Sequence, residues 1–565
     1  MELVQRKVDH NLVMKFVDAN FHEALAQVLS SRNIKNIEEV DYQIEKLLNP
    51  LDLKDCDDAA NFLADAIEQK RKIMIIGDYD ADGATGTSIA LLGFKLLGLK
   101  VNFLIPSRFK LGYGLSPEIV DLAKQQNAEI LITVDNGVAS FEGVKRSNEL
   151  GMDVIITDHH LQAENLPEAK YIINPNQRDC KFESKNLCGA GVIFYLLIAI
   201  RKCLRNRNFF VKDNGFNKEP NLMSLIDLVA LGTVADLVQL DFNNRLIVYY
   251  GLKKIRSDDC NLGIKKLFHL AKKDHHLCQS EDLSFLIAPK INAAGRMSDM
   301  SLGVKCLVAE NESDAHFFAN QLIHFNVKRK IAEDDMKDEA AIQLEDFNKN
   351  KFTICLYNQR WHQGVVGILA SRIKEKFYRP VIIFADDVDG KIKGSARSIS
   401  NLHIRDALDH VSKIAPELIL SFGGHAMAAG LSIMKTSFDQ FQNLFEKVVS
   451  DLLTIKDLDE SIEYDKSILN NNLNFNDIKL INQSVWGNGF SKPIFVDEFE
   501  CMDQTILKDK HSKLMLLHED RVYEAIFFNF NEPLFGKIKC LYSIDDNTFM
   551  DKEYISLNIR RLVNE

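Results

Sequence analysis

The chain reads as an α/β protein: an open parallel-sheet domain joined by a long helix to a smaller α/β domain, followed by an OB-like β domain. Three patterns predict this. Five short apolar runs, "KIMIIGD", "VNFLIP", "AEILITVD", "MDVIITD" and "KYIINP", begin near residues 72, 101, 128, 152 and 170. They alternate with amphipathic segments, the spacing of βα repeats that wind a parallel sheet. A charge-laced stretch over 311–346 separates this region from a second set of strand-like and helix-like runs, and beyond about residue 460 the helical period fades.

Residues 1–70 read as a helical lead-in, in which "NIEEVDYQIEKLLNP" forms an amphipathic helix stopped at Pro50. The first α/β domain spans 71–310. "TSIALLGFKLLG" and "PEIVDLAKQQ" supply helices between its strands, and "GVIFYLLIAI" (191–200) is too short to span a bilayer and reads as a buried helix. The segment 311–346 sustains no heptad, so it reads as a solvated connecting helix rather than a coiled coil. Residues 347–455 repeat the α/β theme: strand "FTICLY", helix "VVGILASRIKEKF", strands "PVIIFAD" and "GKIKGSARS". In 460–565 the runs "HSKLMLLHED", "RVYEAIFFNF" and "YISLNIRRLV" suggest a small barrel of OB type.

A length of 565 residues asks for several cores. "MELVQRKVDHNLVMKF" has no uninterrupted apolar run, so no signal peptide is expected. The ten cysteines form no CxxC pair; Cys180 and Cys188, widely spaced and without a second pair, read as plain thiols rather than zinc ligands. A reduced, cytoplasmic protein without a membrane anchor is the economical expectation. The net charge of −11 argues against nucleic-acid binding by bulk charge, and leaves room for a local basic groove.

The most telling stretch is "IIGDYDADGATGTS" (75–88), which packs Asp78, Asp80 and Asp82 against an apolar strand. At spacing i, i+2, i+4 an extended backbone would turn all three carboxylates to one side, at the ligand position of an open α/β sheet. A P-loop is excluded, since there is no GK[ST] and three acids would repel a triphosphate. A calcium loop matches only the opening "DYDADG" and lacks the downstream Glu. The same strand-end position recurs: "LITVDNG" delivers Asp135, and "VIITDHH" delivers Asp158, His159 and His160. Each of these alone could be an ordinary turn or helix start. With Asp236 at the end of "VALGTVAD", they make a carboxylate–imidazole set suited to Mg²⁺ or Mn²⁺, large enough for two ions.

"GDYDADGATGT", "VDNG", "TDHH" and "GTVAD", in this order, resemble the four motifs of the DHH phosphoesterase superfamily. "IPSRFKLGYGLS", "CGAGVIFYL", "INAAGRM", "RWHQGVVGILASRI", "GSARS" and "GGHAMAAG" narrow the resemblance to its RecJ-type branch, single-stranded-DNA-specific 5′→3′ exonucleases. The resemblance covers about residues 70–432, and "GNGFSKPIF" and "KHSKLML" extend it more loosely into an OB domain. It implies a DHH domain, a DHHA1 domain and a site between them. Asp80, Asp82, Asp135, His159 and Asp236 match metal ligands. Asp78 belongs to the same cluster, as a ligand or an outer partner, and His160 touches the scissile phosphate or orients its neighbour. Arg108, Ser395 and Arg397 match positions that hold the 5′ end of the DNA; Arg296 and His425 are expected along the same channel. Gln239 stands where the family often has Pro.

The resemblance further implies single-stranded DNA as substrate, 5′-mononucleotides as product, Mn²⁺ or Mg²⁺ as cofactor, and roles in repair and recombination. A single-stranded-DNA-binding protein and a RecQ-type helicase are its candidate partners. Two alternatives remain: a DHH phosphodiesterase acting on short RNA or cyclic dinucleotides, and an inactive scaffold that only binds single strands.

Overall fold

The computed structural model describes residues 2–563 except 33, 107–113, 212–213, 349, 470–472 and 550–551. The chain divides into two compact units, one built from residues 5–295, 299–323 and 463 onward, the other from 296–298 and 324–462 with the first few residues.

After β1 (Glu2–Gln5), the larger unit opens with α1 (His10–Asp18), α2 (Glu23–Ser30) and α3 (Cys56–Glu68). The helix expected over "NIEEVDYQIEKLLNP" is absent. Three single 3₁₀ turns stand there instead, and Pro50 begins the third turn rather than ending a helix. The surroundings explain the irregular path: Tyr42 packs on the rings of Tyr249 and Phe242, and the Leu48 N–H donates to Asn243 Oδ1 at 3.3 Å. Such tertiary contacts outweigh the modest gain of a short amphipathic helix.

The sheet follows. β2 (Ile73–Gly77), β3 (Asn102–Leu104), β4 (Ile130–Val134), β5 (Asp153–Thr157) and β6 (Tyr171–Ile173) lie in the order β3-β2-β4-β5-β6, all parallel. Each of the five runs singled out in the sequence is a strand. β2 and β4 are fully buried, as strands covered on both faces must be. The crossovers are α4 (Ala81–Leu96), α5 (Pro117–Gln125) and α6 (Phe141–Glu149). Buried helices α7 (Gly189–Asn206) and α8 (Ile226–Ala235) pack on α4, and α7 contains the apolar run 191–200. Then come α9 (Phe242–Ile255), α10 (Leu262–Leu270), the single turn α11 (Ser280–Asp282), α12 (Ala288–Met297) and α13 (Ser301–Leu307). Among the described residues no helix is long and apolar enough to cross a membrane.

The long helix α14 (Glu312–Gln343) passes from the larger unit into the smaller one. It is more than a solvated bridge: Ala319 and Leu322 join the larger unit's core, and Met336 and Ala340 join the smaller one's. The smaller unit holds β7 (Ile354–Tyr357), α15 (Val366–Phe377), β8 (Val381–Asp386), β9 (Lys391–Arg397), α16 (Ile404–Ile414), β10 (Ser421–Gly424), β11 (Ala428–Met434) and α17 (Phe438–Leu452). Its sheet, β10-β11-β9-β8-β7, is mixed, with only β7 and β8 parallel.

Beyond β12 (Ser461–Tyr464) and α18 (Phe475–Gln483), strands β13 (Phe495–Leu507), β14 (His511–His518), β15 (Arg521–Phe527), β16 (Gly536–Phe549) and β17 (Lys552–Leu562) close a barrel in the order β13-β14-β15-β17-β16. The barrel belongs to the larger unit. Arg32 forks onto Asp465 (2.5 and 3.0 Å) and lies over the Trp486 ring, tying the end of α2 to the barrel's entrance.

Candidate metal centre

β2 ends at Gly77, one residue before Asp78. The structure corrects the extended-strand reading of the next two acids. Asp80 is the N-cap of α4, accepting the Gly83 N–H at 3.0 Å, and Asp82 lies inside the first helical turn. The acids converge because the chain turns from strand into helix. A Cβ at position 83 would stand 2.6 Å from the Asp78 carbonyl oxygen, so glycine is what lets this turn lie against Asp78. Asp82, 1% exposed, accepts the N–H groups of Gly189 (2.6 Å) and Ala190 (3.1 Å), the unsatisfied donors at the start of α7.

β4 delivers Asp135, whose backbone is left-handed (φ 63°), a conformation aspartate tolerates better than most residues. Its N–H still bonds the Thr157 carbonyl at 3.0 Å, so β5 fixes it before the chain turns away. Asn136 donates to the Ile76 and Val134 carbonyls (3.0 and 2.9 Å), stitching the ends of β2 and β4 together. A side chain at 189 would meet Asp135 Cβ at 2.4 Å, so α7 approaches this loop as closely as glycine permits.

β5 delivers the two histidines through Asp158, which the sequence reading counted among the strand-end acids without assigning it a part of its own. Buried Asp158 accepts the N–H groups of Val138 (2.9 Å), His159 (2.7 Å) and His160 (3.1 Å), and pairs with His160 Nδ1 at 2.7 Å. Asn176 and Asn174 hold the carbonyls of His159 and His160 at 2.6 and 2.8 Å. His159 Nε2 then lies 3.0 Å from Asp135 and 3.5 Å from Asp236, which caps the C-terminus of α8. Asn292 was missed as well: its Oδ1 accepts the Ala81 N–H at 2.8 Å, so "INAAG" on α12 braces the start of α4. Their signal was position, one acid ending a strand and one amide inside a singled-out motif.

Ligand atoms of Asp78, Asp80 and Asp135 lie within 4.8 Å of one another; so do those of Asp82, His159 and Asp236, and of Asp135, His159 and His160. Burial, followed by repulsion from Asp80, pushes Asp82 up to about 6. Burial and the neighbouring carboxylates hold Asp135 and Asp236 well above the ordinary range. Asp158 behaves oppositely: burial would raise it, but the bond and charge of His160 prevail and hold it at about 2. Burial likewise works against the His160 imidazolium, and its bond to Asp158 outweighs that, raising it to about 9. Oxygen-rich, mutually repelling and buried, the cluster fits hard divalent cations, whose charge would relieve the repulsion.

The other expected site residues belong to the smaller unit, except Arg108, which lies outside the described residues. Arg397 Nη1 donates to Ser395 Oγ (3.2 Å) and the Ala396 carbonyl (2.8 Å), and Nε to Ser371 Oγ on α15 (3.1 Å). Arg397 pairs with Ala428 across β9 and β11, and the Ala428 carbonyl accepts the His425 N–H at 2.8 Å, so the "GGH" turn closes beside the same strand end. Arg296 donates to the Gly364 carbonyl at 3.1 Å.

Family models match in chain order: the DHH family N-terminal domain over residues 72–233, the DHHA1 domain over 349–451 and the RecJ OB domain over 464–561. The single-stranded-DNA-specific exonuclease RecJ of Salmonella typhimurium is 40% identical over 554 residues, 96% of each chain. That of Escherichia coli is 39% identical over 572 residues, 99% of this chain and 98% of its own. The chain belongs to the RecJ family. Among solved structures, Thermus thermophilus RecJ with Mn²⁺ superposes with a TM-score of 0.82 at 25% identity, over all of this chain and 79% of that one. An exonuclease RecJ bound to manganese matches 71% of this chain and 96% of its own, with a TM-score of 0.59 and 31% identity. The RecJ OB assignment agrees with the closed barrel, although the loose "GNGFSKPIF" motif lies in the turn and approach to β13.

Proposed function

We propose that the chain is a metal-dependent exonuclease that hydrolyses single-stranded DNA from its 5′ end and releases 5′-mononucleotides. Asp78, Asp80, Asp82, Asp135, His159 and Asp236 would hold two ions, Mn²⁺ or Mg²⁺. The observation that carries this reading is the division of the donors into two three-residue sets joined through the Asp135–His159 contact. A bound pair of such ions supplies an activated water and charge stabilisation for in-line displacement at phosphorus.

The chain's own residues do the rest. Asp158 keeps His160 protonated near neutral pH, so the imidazolium offers a positive donor to the scissile phosphate. Ser395 and Arg397, with Ser371 behind them, form a hydroxyl–guanidinium fork suited to a 5′-phosphate. Arg108, Arg296 and His425 would contact the strand nearby. The barrel extends the track for single strands. Action in the cytoplasm, in repair and recombination beside a single-stranded-DNA-binding protein and a RecQ-type helicase, fits this activity.

End-labelled single strands incubated with the protein and Mn²⁺ test the reading. Release of 5′-mononucleotides supports it. Cleavage confined to very short RNA or cyclic dinucleotides, or binding without cleavage, would overturn it.

A further inference from the structure

Between the loop after α9 and the turn after α10 lies a second group of metal-type donors that shares no residue with the carboxylate cluster. Ligand atoms of Asp258, His275 and His276 lie within 4.8 Å of one another. His276 Nε2 stands 3.5 Å from Asp258 Oδ1, and its other nitrogen, Nδ1, is engaged by Asp274 at 2.8 Å. That is the arrangement in which an outer carboxylate fixes an imidazole so that its far nitrogen can ligate. The His275 ring lies against His276, with centroids 4.0 Å apart. His275 is only 8% exposed, and among the described residues its buried Nε2 has no hydrogen-bond partner, a costly position for a ring nitrogen unless something else takes its lone pair or proton.

We infer that Asp258, His275 and His276 form a second cation site, selective for Zn²⁺ or a similar transition-metal dication. Two imidazoles and one carboxylate are the donors such ions prefer, whereas Mg²⁺ and Ca²⁺ favour all-oxygen sets. Lys265 Nζ, 3.6 Å from Asp258, is the competing charge, and that exposed pair is weak enough for a dication to displace. The ion would clamp the loop around 258 to the turn at 275–277. The same segment already carries a structural load: Arg256 Nε bonds the Cys278 carbonyl at 2.8 Å, and Ser280 Oγ bonds the Trp486 carbonyl at 2.6 Å ahead of the barrel. Occupancy would therefore stiffen the seat of the C-terminal barrel and leave the hydrolytic chemistry alone.

Zn²⁺ binding by the full chain, counted against a competing chelator, tests this. His276 and Asp258 are exposed enough for substitution without disturbing the core. His276→Ala and Asp258→Ala should each bind one Zn²⁺ equivalent fewer than the unaltered chain. Asp274→Asn should keep that equivalent with about 10–100-fold weaker affinity. Co²⁺ in place of Zn²⁺ should give visible bands that His276→Ala lacks. Nuclease activity with Mn²⁺ alone should be unchanged in all three. Equal Zn²⁺ stoichiometry and affinity with and without His276 would overturn the proposal, and so would loss of the Mn²⁺-dependent activity in His276→Ala.

Discussion

In the sheet β3-β2-β4-β5-β6 every strand runs the same way, so Asp78, Asp135 and Asp158 leave three adjacent strands at one edge. In β10-β11-β9-β8-β7, β9 runs antiparallel to both neighbours, and its polar residues are gathered along its length: Ser395 and Arg397, two apart, share one side. The first arrangement brings acids together with Asp82 of α4 and Asp236 of α8, and burial, followed by repulsion among the carboxylates, makes Asp82, Asp135 and Asp236 harder to ionise. The second holds a guanidinium by two hydroxyls and a carbonyl. A parallel edge thus stores repulsion that a cation relieves, while an antiparallel face offers donors that an anion can use. On the proposed function, the first region would take the metal and the second the phosphate of phosphodiester hydrolysis.

Breaking the cationic side should have the largest effect. Asp135→Ala removes a donor common to two of the three-residue sets and should lower kcat roughly 10³-fold or more with Mn²⁺, while circular dichroism stays native. Next comes the support behind it. Asp158→Asn should cost about 10–100-fold in activity. NMR titration should find the His160 pKa falling from about 9 toward the ordinary 6.5, and an unmoved histidine would refute the positioning role. On the anionic side, Arg397→Ala should raise KM for 5′-phosphorylated strands about tenfold and change kcat little, with partial rescue by Lys. Equal KM for phosphorylated and unphosphorylated strands in the unaltered chain would undo the contrast.

The smallest effect is on stability. The folded-state pKa values of Asp82, Asp135 and Asp236 lie above the ordinary value of 3.8, so ionising these groups costs the folded state. With divalent ions chelated, stability should therefore fall as pH rises from about 4 through about 6 and beyond. Mn²⁺ should reverse the loss, so its shift of the unfolding midpoint should be larger at pH 8 than at pH 5.5. Equal shifts at both values would show that the carboxylates are not its ligands.

Strand periodicity carried the parallel sheet, and strand-end position carried Asp135, His159 and His160, because both depend on local pattern alone. Asp82 was found for the wrong geometric reason. Spacing i, i+2, i+4 looks extended until tertiary packing on α7 decides that α4 starts at Ala81. Asp158 read as part of a motif rather than as a partner, since its bond to the Val138 N–H, 20 residues back, exists only once the fold brings the two loops together. The stretch 36–50 has a helical pattern, yet its Tyr42 ring packs against Phe242 and Tyr249 of α9. Arg32 and Asp465, 433 residues apart, carried no sequence signal of their pairing.

The central claim is that the parallel edge holds two divalent ions. Counting Mn²⁺ bound to the His276→Ala chain by electron paramagnetic resonance, with no other divalent ion present, tests it directly. The account predicts two Mn²⁺ per chain, and at most one once Asp135→Ala is added. Two ions bound with unchanged affinity after Asp135→Ala, or none with Asp135 intact, would contradict it.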